Sequence, residues 1–426
     1  VWHKGLLHKL LDIGISDQLV QWFSSYLSDR KQRVVIDGQS SDWASVQAGV
    51  PQGSILGPLL FLLYINDIVR DIGCSIRLFA DDTSLYIVVD SPQVAANLLN
   101  TDLNTISNWA ETWLVDFNAS KTSSMIISRK SNQLQHPPLF MNNIQLNESE
   151  THKHLGITLS RSCTWSSHID NIAEKAWFRL NLMRGLKFKI SRKSLEQMYI
   201  SFIRPLLEYC DSVWDNASSE SKKQLDAIHI EAARTITGAT KLCGIDRLFS
   251  DLGWESLQSR RDKHKLVIFY KIMNGLTPSY LSDLVPPFIR DATHYNLRNS
   301  NHTQTLHANT NLYFNSYFPS TIRAWNSLPE DTKQATSVSS FKYLLNRDLK
   351  RPPRYFNTGT RIGQILQARL RMECSSLNSH LYRKNIVPSP SCLCGGFESS
   401  AHFFFTCPRY TPARNRYLPN DLDNFT

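Results

Sequence analysis

Asp81 and Asp82 stand side by side between two apolar runs, in Leu78-Phe79-Ala80-Asp81-Asp82-Thr83-Ser84-Leu85. On a regular strand adjacent side chains point to opposite faces, so both carboxylates reach one site only where the chain bends tightly. Carboxylates that converge in this way are what phosphoryl or nucleotidyl transfer with two divalent ions requires. Acidic residues are equally at home in solvated turns that carry no chemistry. A second candidate lies near the other end, where Cys392-Leu393-Cys394-Gly395-Gly396 precedes His402 and Cys407. Three thiolates and an imidazole suit tetrahedral Zn²⁺, and the glycines permit the turn that folds the thiolates onto one ion. The Cys-x-Cys bite is tighter than the usual spacing, and buried free cysteines are the competing explanation.

Two groups of cations could contact phosphate. Arg260, Arg261, Lys263, His264 and Lys265 open one helical stretch, and Lys187, Lys189, Arg192 and Lys193 flank another. Backbone phosphates give affinity without sequence preference, although such runs also form ordinary solvated helix faces. From residue 351 onward ten Lys/Arg face four Asp/Glu, interleaved with Tyr355, Phe397, Phe403, Phe404, Phe405 and Tyr410. Aromatic side chains left over from the core could stack on single-stranded bases.

The elements that must position these residues follow from periodicity and turn chemistry. Residues 4–27 predict two helices broken at Gly14, the second capped by Ser16 with Leu19, Trp22, Phe23 and Tyr26 inward. A hairpin follows, from Gln32 to Ile36 and Trp43 to Ala48 about an Asp37-Gly38 turn. The Gly-Val-Pro-Gln-Gly loop at 49–53 leads into an apolar helix ending near Ile68. Ile76 to Val89 reads as a second hairpin with Asp81-Asp82 at its bend. Ser91-Pro92 starts a helix to about Leu114 with Leu98, Leu99, Leu103, Ile106 and Trp109 on one face. Short strands are expected at 124–128 and 154–159, then helices at 165–186, 191–204, 219–237 and 255–274. The polar stretch 291–311 reads as a loop or linker, and a small subdomain at Phe314 to Leu349 follows it.

With 426 residues the chain should hold two or three domains, and 42% hydrophobic residues are enough for each to bury a core. A net charge of +10 favours a polyanionic partner. Ile55 to Ile65 is too short to span a bilayer and contains Gly57 and Pro58. Cys74, Cys163, Cys210 and Cys243 are scattered singly, which suits a reducing compartment. The amphipathic pattern beginning directly at Val1, with no initiator methionine, reads as a cut through a domain.

About 30 residues before the aspartates runs Val50-Pro51-Gln52-Gly53-Ser54-Ile55-Leu56-Gly57-Pro58-Leu59-Leu60-Phe61, ending in Tyr64-Ile65-Asn66-Asp67-Ile68. After them come Asn118, Lys121-Thr122 and His154-Leu155-Gly156-Ile157. In this order the set resembles the palm of non-LTR retrotransposon reverse transcriptases, of the LINE-type jockey and CR1-like kind. The likeness is specific over residues 1–160 and looser through Arg204-Pro205-Leu206-Leu207-Glu208-Tyr209-Cys210 and Trp325-Asn326-Ser327-Leu328-Pro329 to the Cys/His cluster.

The resemblance implies an α+β fold. A partial right-hand polymerase palm with fingers elements would occupy 1–160, and a helical thumb or connector 161–290. A linker with a small subdomain at 291–350 and a basic zinc-binding segment at 351–426 would complete it. It implies RNA-directed DNA polymerisation, with Asp81 and Asp82 holding Mg²⁺ and Asp81 the more direct ligand. Pro51, Gln52 and Gly53 would border the incoming nucleotide and template base, with Phe79 and Ala80 beneath the primer end. Lys121 would steady or protonate the pyrophosphate, and Leu155 and Gly156 would hold the primer. The partners would be RNA template, DNA primer and deoxynucleoside triphosphates, with no membrane, and the location nuclear. The family's third carboxylate would precede Val1, so the chain by itself should not polymerise. A non-catalytic nucleic-acid-binding remnant is the alternative, and the Pro-Gln-Gly and Lys-Thr context argues against a metal-dependent nuclease.

Overall fold

Leu6, Lys9 and Leu10 share one stripe at helical spacing, and this stripe is buried where His3–Asp12 forms α1. The computed structural model describes residues 1–128, 136–292, 301–349 and 352–417. By contacts the chain forms two units, Val1–His154 with Leu159–Cys163, and Leu155–Thr158 with Thr164–Thr426.

In the first unit α2 (Asp17–Leu27) follows Gly14, whose φ of 87° breaks the helical run. Its buried face is Val20, Phe23 and Leu27, whereas Leu19 and Trp22 are exposed. That corrects the expected facing, because the sequence stripe drew in the flanking apolar residues as well. Ser16 takes the N-cap position without a side-chain capping bond. Four two-residue strands form the first hairpin: β1 (Lys31–Gln32), β2 (Val35–Ile36), β3 (Gln39–Ser40) and β4 (Ala44–Ser45). Asp37 and Gly38, at φ 49° and 81°, make its turn as the sequence requires. α3 (Leu56–Ile65) buries Leu60, Tyr64 and Ile65. β5 (Ser75–Phe79) and β6 (Asp82–Tyr86) then pair antiparallel, and α4 (Pro92–Thr112) packs its Leu103 and Ile106 into the same core as Ile65 and Ile68. Leu98 is exposed and Asp102 takes a buried place instead, which the apolar pattern did not anticipate.

Lys9 ties three of these helical segments together. Its ammonium donates to the Tyr64 carbonyl at 2.7 Å and pairs with Asp67 at 2.5 Å. It also lies 3.8 Å from the Trp113 ring centroid and 4.6 Å from that of Trp109. Trp109 in turn donates its indole N–H to Asp67 at 3.1 Å. Burial holds the Lys9 pKa below the ordinary lysine value, against the opposing pull of Asp67.

The second unit is mostly helical. α5 (Ser166–Gly185), α6 (Arg192–Met198), α7 (Arg204–Glu208), α8 (Asp211–Trp214), α9 (Ser219–Thr237), α10 (Ile245–Leu252) and α11 (Leu257–Met273) bury Leu180, Leu195, Leu207, Trp214, Leu225 and Leu248 in one core. A second core gathers Leu266, Phe269 and Tyr270 of α11 around Ile322, Trp325 and Phe341. Of the expected linker at 291–311, residues 293–300 lie outside the described residues. Among the described residues no helix is long and apolar enough to cross a membrane.

The expected phosphate-binding face of α11 is corrected by its ion pairs. Arg261 and Lys265 are 1% and 6% exposed, so neither can reach a phosphate. Both converge on Asp215, at 3.1 and 2.5 Å. Arg260 pairs with both oxygens of Glu208, and Lys263 lies 2.6 Å from Glu255. Arg192 is likewise buried against Asp251 at 2.6 Å. Charge spacing alone could not reveal most of these carboxylates, because Glu208 of α7, Asp215 just after α8 and, for Arg192, Asp251 of α10 lie far from their partners in sequence.

Removing one partner of a buried pair leaves the other uncompensated, at about 3–5 kcal/mol. Asp67→Ala should therefore cost stability of that order in denaturant titration. The double substitution Lys9→Met/Asp67→Leu should recover most of it; an equal loss in both would contradict the pairing. At Asp215 burial raises the pKa, but the hydrogen bond and charge of Lys265, with Lys222 and Arg261, outweigh it and hold the carboxyl below the usual range. A depressed folded-state pKa contributes stability above the unfolded carboxylate pKa of about 4 and loses it as pH falls through the folded value. The stability lead of wild type over Asp215→Asn should therefore be present at neutral pH and vanish in acid.

Candidate active site and Cys/His centre

The Asp-bearing hairpin is gripped at its root. Asp102, buried in α4, accepts the backbone N–H groups of Gly73 and Cys74 at 3.0 and 2.7 Å, just before β5 begins. Burial raises the Asp102 pKa, but hydrogen bonds from Cys74 and Gly73 outweigh it and keep the carboxyl below its ordinary value. The Cys74 thiol is pushed up to about 12, first by burial and then by that carboxylate. Asp102 was missed at the sequence level. Its signal was an acid set among apolar residues, beside Leu103 and one turn from Leu99 and Ile106.

Phe79 pairs directly with Asp82, so Ala80 and Asp81 form the two-residue turn. The bend thus falls one residue earlier than expected, and Asp82 is the first residue of β6. Ala80 has φ 51°, a conformation that costs an L-residue with a Cβ roughly 1–2 kcal/mol. Directly opposed residues share a face. Asp82 and Phe79 therefore stand on the side away from Ile76, Leu78 and Leu85, which pack on the core. Both aspartates are exposed, and Phe79 is 62% exposed on the same open face. Among the described residues no third His, Cys, Asp or Glu closes on the pair to complete a metal-holding group.

The Pro51-Gln52-Gly53 loop is built against the start of α3. The Ser54 hydroxyl donates to the Pro51 carbonyl at 2.8 Å and accepts the Gly57 N–H at 2.9 Å. A Cβ on Gly57 would sit 2.4 Å from the Pro51 carbonyl oxygen, so only glycine lets the loop close. Gly53 has φ 80°, and Gln52 and Gly53 are exposed. The Gly49 end is tied to the beginning of the chain by its N–H on the Val1 carbonyl, 2.7 Å, and by His3 on its own carbonyl, 2.8 Å. Lys121 is exposed on a turn in which its N–H and that of Thr122 both donate to the Asn118 carbonyl. No hydrogen bond or ion pair among the described residues joins Asp81, Asp82, Gln52 and Lys121.

Leu155 and Gly156, at φ 46° and 84°, form a turn between strands Thr151–His154 and Ile157–Ser160. The sequence had placed them inside a strand of 154–159. The Tyr209 hydroxyl donates to the Leu155 carbonyl at 2.8 Å, and a Cβ on Gly156 would lie 3.0 Å from the Tyr209 ring.

Cys392, Cys394, His402 and Cys407 converge, their ligand atoms all within 4.8 Å of one another. Cys392 and Cys407 sulfurs are 3.7 Å apart, and those of Cys407 and Cys394 3.8 Å. Tetrahedral zinc with its usual sulfur bond length sets neighbouring sulfurs about 3.8 Å apart. His402 presents Nε2 to Cys394 at 3.1 Å, while its Nδ1 lies 3.1 Å from the Thr406 hydroxyl. That outer partner suits the tautomer with a free Nε2 lone pair. The two glycines divide the work. Gly395 has φ 89° in the turn closed by its N–H on the Cys392 carbonyl, 2.9 Å. A Cβ on Gly396 would come within 2.8 Å of the His402 ring. The Gly396 backbone, with the neighbouring cysteines, holds the Cys394 thiol below its ordinary pKa.

Residues 1–159 match the family described as reverse transcriptase (RNA-dependent DNA polymerase), which spans the Asp hairpin, the Pro-Gln-Gly loop and Lys121. The RNA-directed DNA polymerase from mobile element jockey of Drosophila melanogaster is 30% identical over 250 residues, covering 56% of this chain and 27% of that protein. The probable RNA-directed DNA polymerase from transposon X-element of the same species is 28% identical over 272 residues, 62% of this chain and 30% of that protein. Similarity to the retrovirus-related Pol polyprotein from type-1 retrotransposable element R1 of Bradysia coprophila reaches 97% of this chain and 39% of that protein, at 21% identity. The chain thus spans under a third of the jockey and X-element relatives. The match across the Asp-bearing unit and the similarity to these mobile-element polymerases agree: residues 1–159 form a reverse transcriptase domain, and the chain is similar to reverse transcriptases of the non-LTR retrotransposon type.

Proposed function

We propose that the protein of which this chain is part extends a DNA primer on an RNA template, with Asp81 and Asp82 as metal-binding carboxylates. The observation that supports it is the Asp hairpin itself: two exposed carboxylates at a strained tip, rooted by Asp102, inside the unit that matches the family. Hard, exposed oxygen donors of this kind fit Mg²⁺. When bound, divalent ions supply charge neutralisation at the reacting phosphate. The chain's own residues do the positioning. Gln52 and Gly53, with Pro51, border the incoming deoxynucleoside triphosphate and template base, and a glycine at positive φ keeps that backbone bare of side chain. Phe79, on the open face it shares with Asp82, and Ala80 at the turn lie under the primer end. Lys121 meets the pyrophosphate charge as it develops, and the Leu155-Gly156 turn steadies the primer strand. A complete site needs a further carboxylate beside this pair, and a protein of this activity works on chromosomal DNA in the nucleus. The test is primer extension on RNA by protein carrying the further length that the curated relatives have. Asp81→Asn should lower Mg²⁺-dependent extension by on the order of 10²-fold or more, the scale of a mispositioned reacting group. Undiminished extension by Asp81→Asn overturns the assignment, and a folded protein that binds RNA but never extends a primer supports a binding remnant.

The Cys/His centre is proposed to hold one structural Zn²⁺ through Cys392, Cys394, His402 Nε2 and Cys407. The sulfur spacings and the Nε2 orientation support that donor set. A structural zinc contributes folding free energy outright. A chelator should therefore loosen residues 385–411, seen as rapid proteolysis there, while the first unit stays folded. Protein purified under reducing conditions with no zinc by elemental analysis would refute the centre.

A further inference from the structure

Between α5 and α9 of the helical unit runs a surface groove of about 420 Å³. Trp177 and Ile230 make its lining partly apolar, while Arg184, Arg234 and Lys241 give it charge. Glu231 is the one carboxylate in that lining, 3.7 Å from Arg184 and 3.8 Å from Arg234. Pairs this long contribute little, and one carboxylate cannot balance three cations. Arg234 Nε is buried and has no hydrogen-bond acceptor among the described residues. Lys187 adds to the same field: burial and then Arg369 hold its pKa below the ordinary lysine value, with Arg361 and Arg184 adding to the repulsion and Glu231 opposing it. The contrast with α11 is direct, since there Arg260, Arg261, Lys263 and Lys265 each have a close carboxylate.

We propose that this α5–α9 groove is a nucleic-acid backbone site, in which Arg184, Arg234 and Lys241 contact phosphates along one strand. Unbalanced positive charge in a concave surface concentrates a polyanion and gains from counterion release. The partly apolar lining accepts the sugar edge without desolvating further charge. The choice of a polynucleotide among phosphate carriers rests on the reading of the chain as a reverse transcriptase.

The experiment is equilibrium binding of a fluorescent single-stranded RNA to the full chain, followed by anisotropy between about 50 and 200 mM salt. Arg184→Gln/Arg234→Gln/Lys241→Gln should weaken binding at least about 10-fold at low salt and flatten the log–log salt slope by about 2, for three lost phosphate contacts. Arg184→Lys/Arg234→Lys, which keeps the charge, should retain the slope and the melting temperature. Unchanged affinity and slope in the triple variant, with its melting temperature preserved, overturn the site. Displacement of the RNA by inorganic phosphate at equal ionic strength would also overturn it, in favour of a small-phosphate pocket. Binding is read without nucleotide or divalent ion, so failure here is separable from failure of the polymerase reading.

Discussion

The first unit is organised around a charge that is expensive to bury. Lys9 projects from α1 into a cage of Tyr64, Trp109 and Trp113 rings and finds Asp67 at its far end. A desolvated ammonium is tolerable only with a carboxylate, a carbonyl and aromatic faces arranged about it. Those groups come from α3, the turn after it and α4, while Lys9 itself belongs to α1. Satisfying Lys9 therefore fixes the register of three helical segments at once. Once α4 is placed, Asp102 is placed, and with it the backbone of Gly73 and Cys74 from which the Asp81-Asp82 hairpin grows. The aspartates at the tip are thus positioned through two other acids, Asp67 and Asp102, packed within the fold.

Much of this was legible in the residues. Helices α1, α2 and α4 announced themselves by period, and Asp37-Gly38 by a turn chemistry few other pairs satisfy. Asp81-Asp82 at a bend followed from the need to turn two neighbouring side chains toward one place. What stayed hidden were contacts between positions far apart in sequence. Nothing near Asp102 in the chain says that it accepts from residues 28 and 29 positions earlier. The same blindness set the bend one residue late, because strand register depends on which side chain packs inward, here Leu78 against Phe79.

Charge gives the sharper lesson. The cluster at 260–265 and the residues about α5 and α9 are equally basic by inspection, yet they differ in company. Asp215, Glu208 and Glu255 gather the first set into the interior, so its charge is spent within the fold. Around Arg234 a single carboxylate serves several cations, and the surplus faces solvent in a groove. Net charge states how much positive potential a chain carries; only the acids packed against each cation decide where it is available to a partner.

The Cys/His centre shows the same economy in its backbone. With only Leu393 between them, Cys392 and Cys394 bring their sulfurs onto one ion only through a sharply closed turn, and Gly395 at φ 89° closes it. His402 then arrives over the turn, where a side chain at position 396 would displace its ring. The two glycines are consequently not interchangeable. One answers to backbone conformation and the other to the space an imidazole needs. An alanine at 395 strains the turn itself, whereas at 396 it leaves the turn intact and moves the nitrogen away from the three sulfurs.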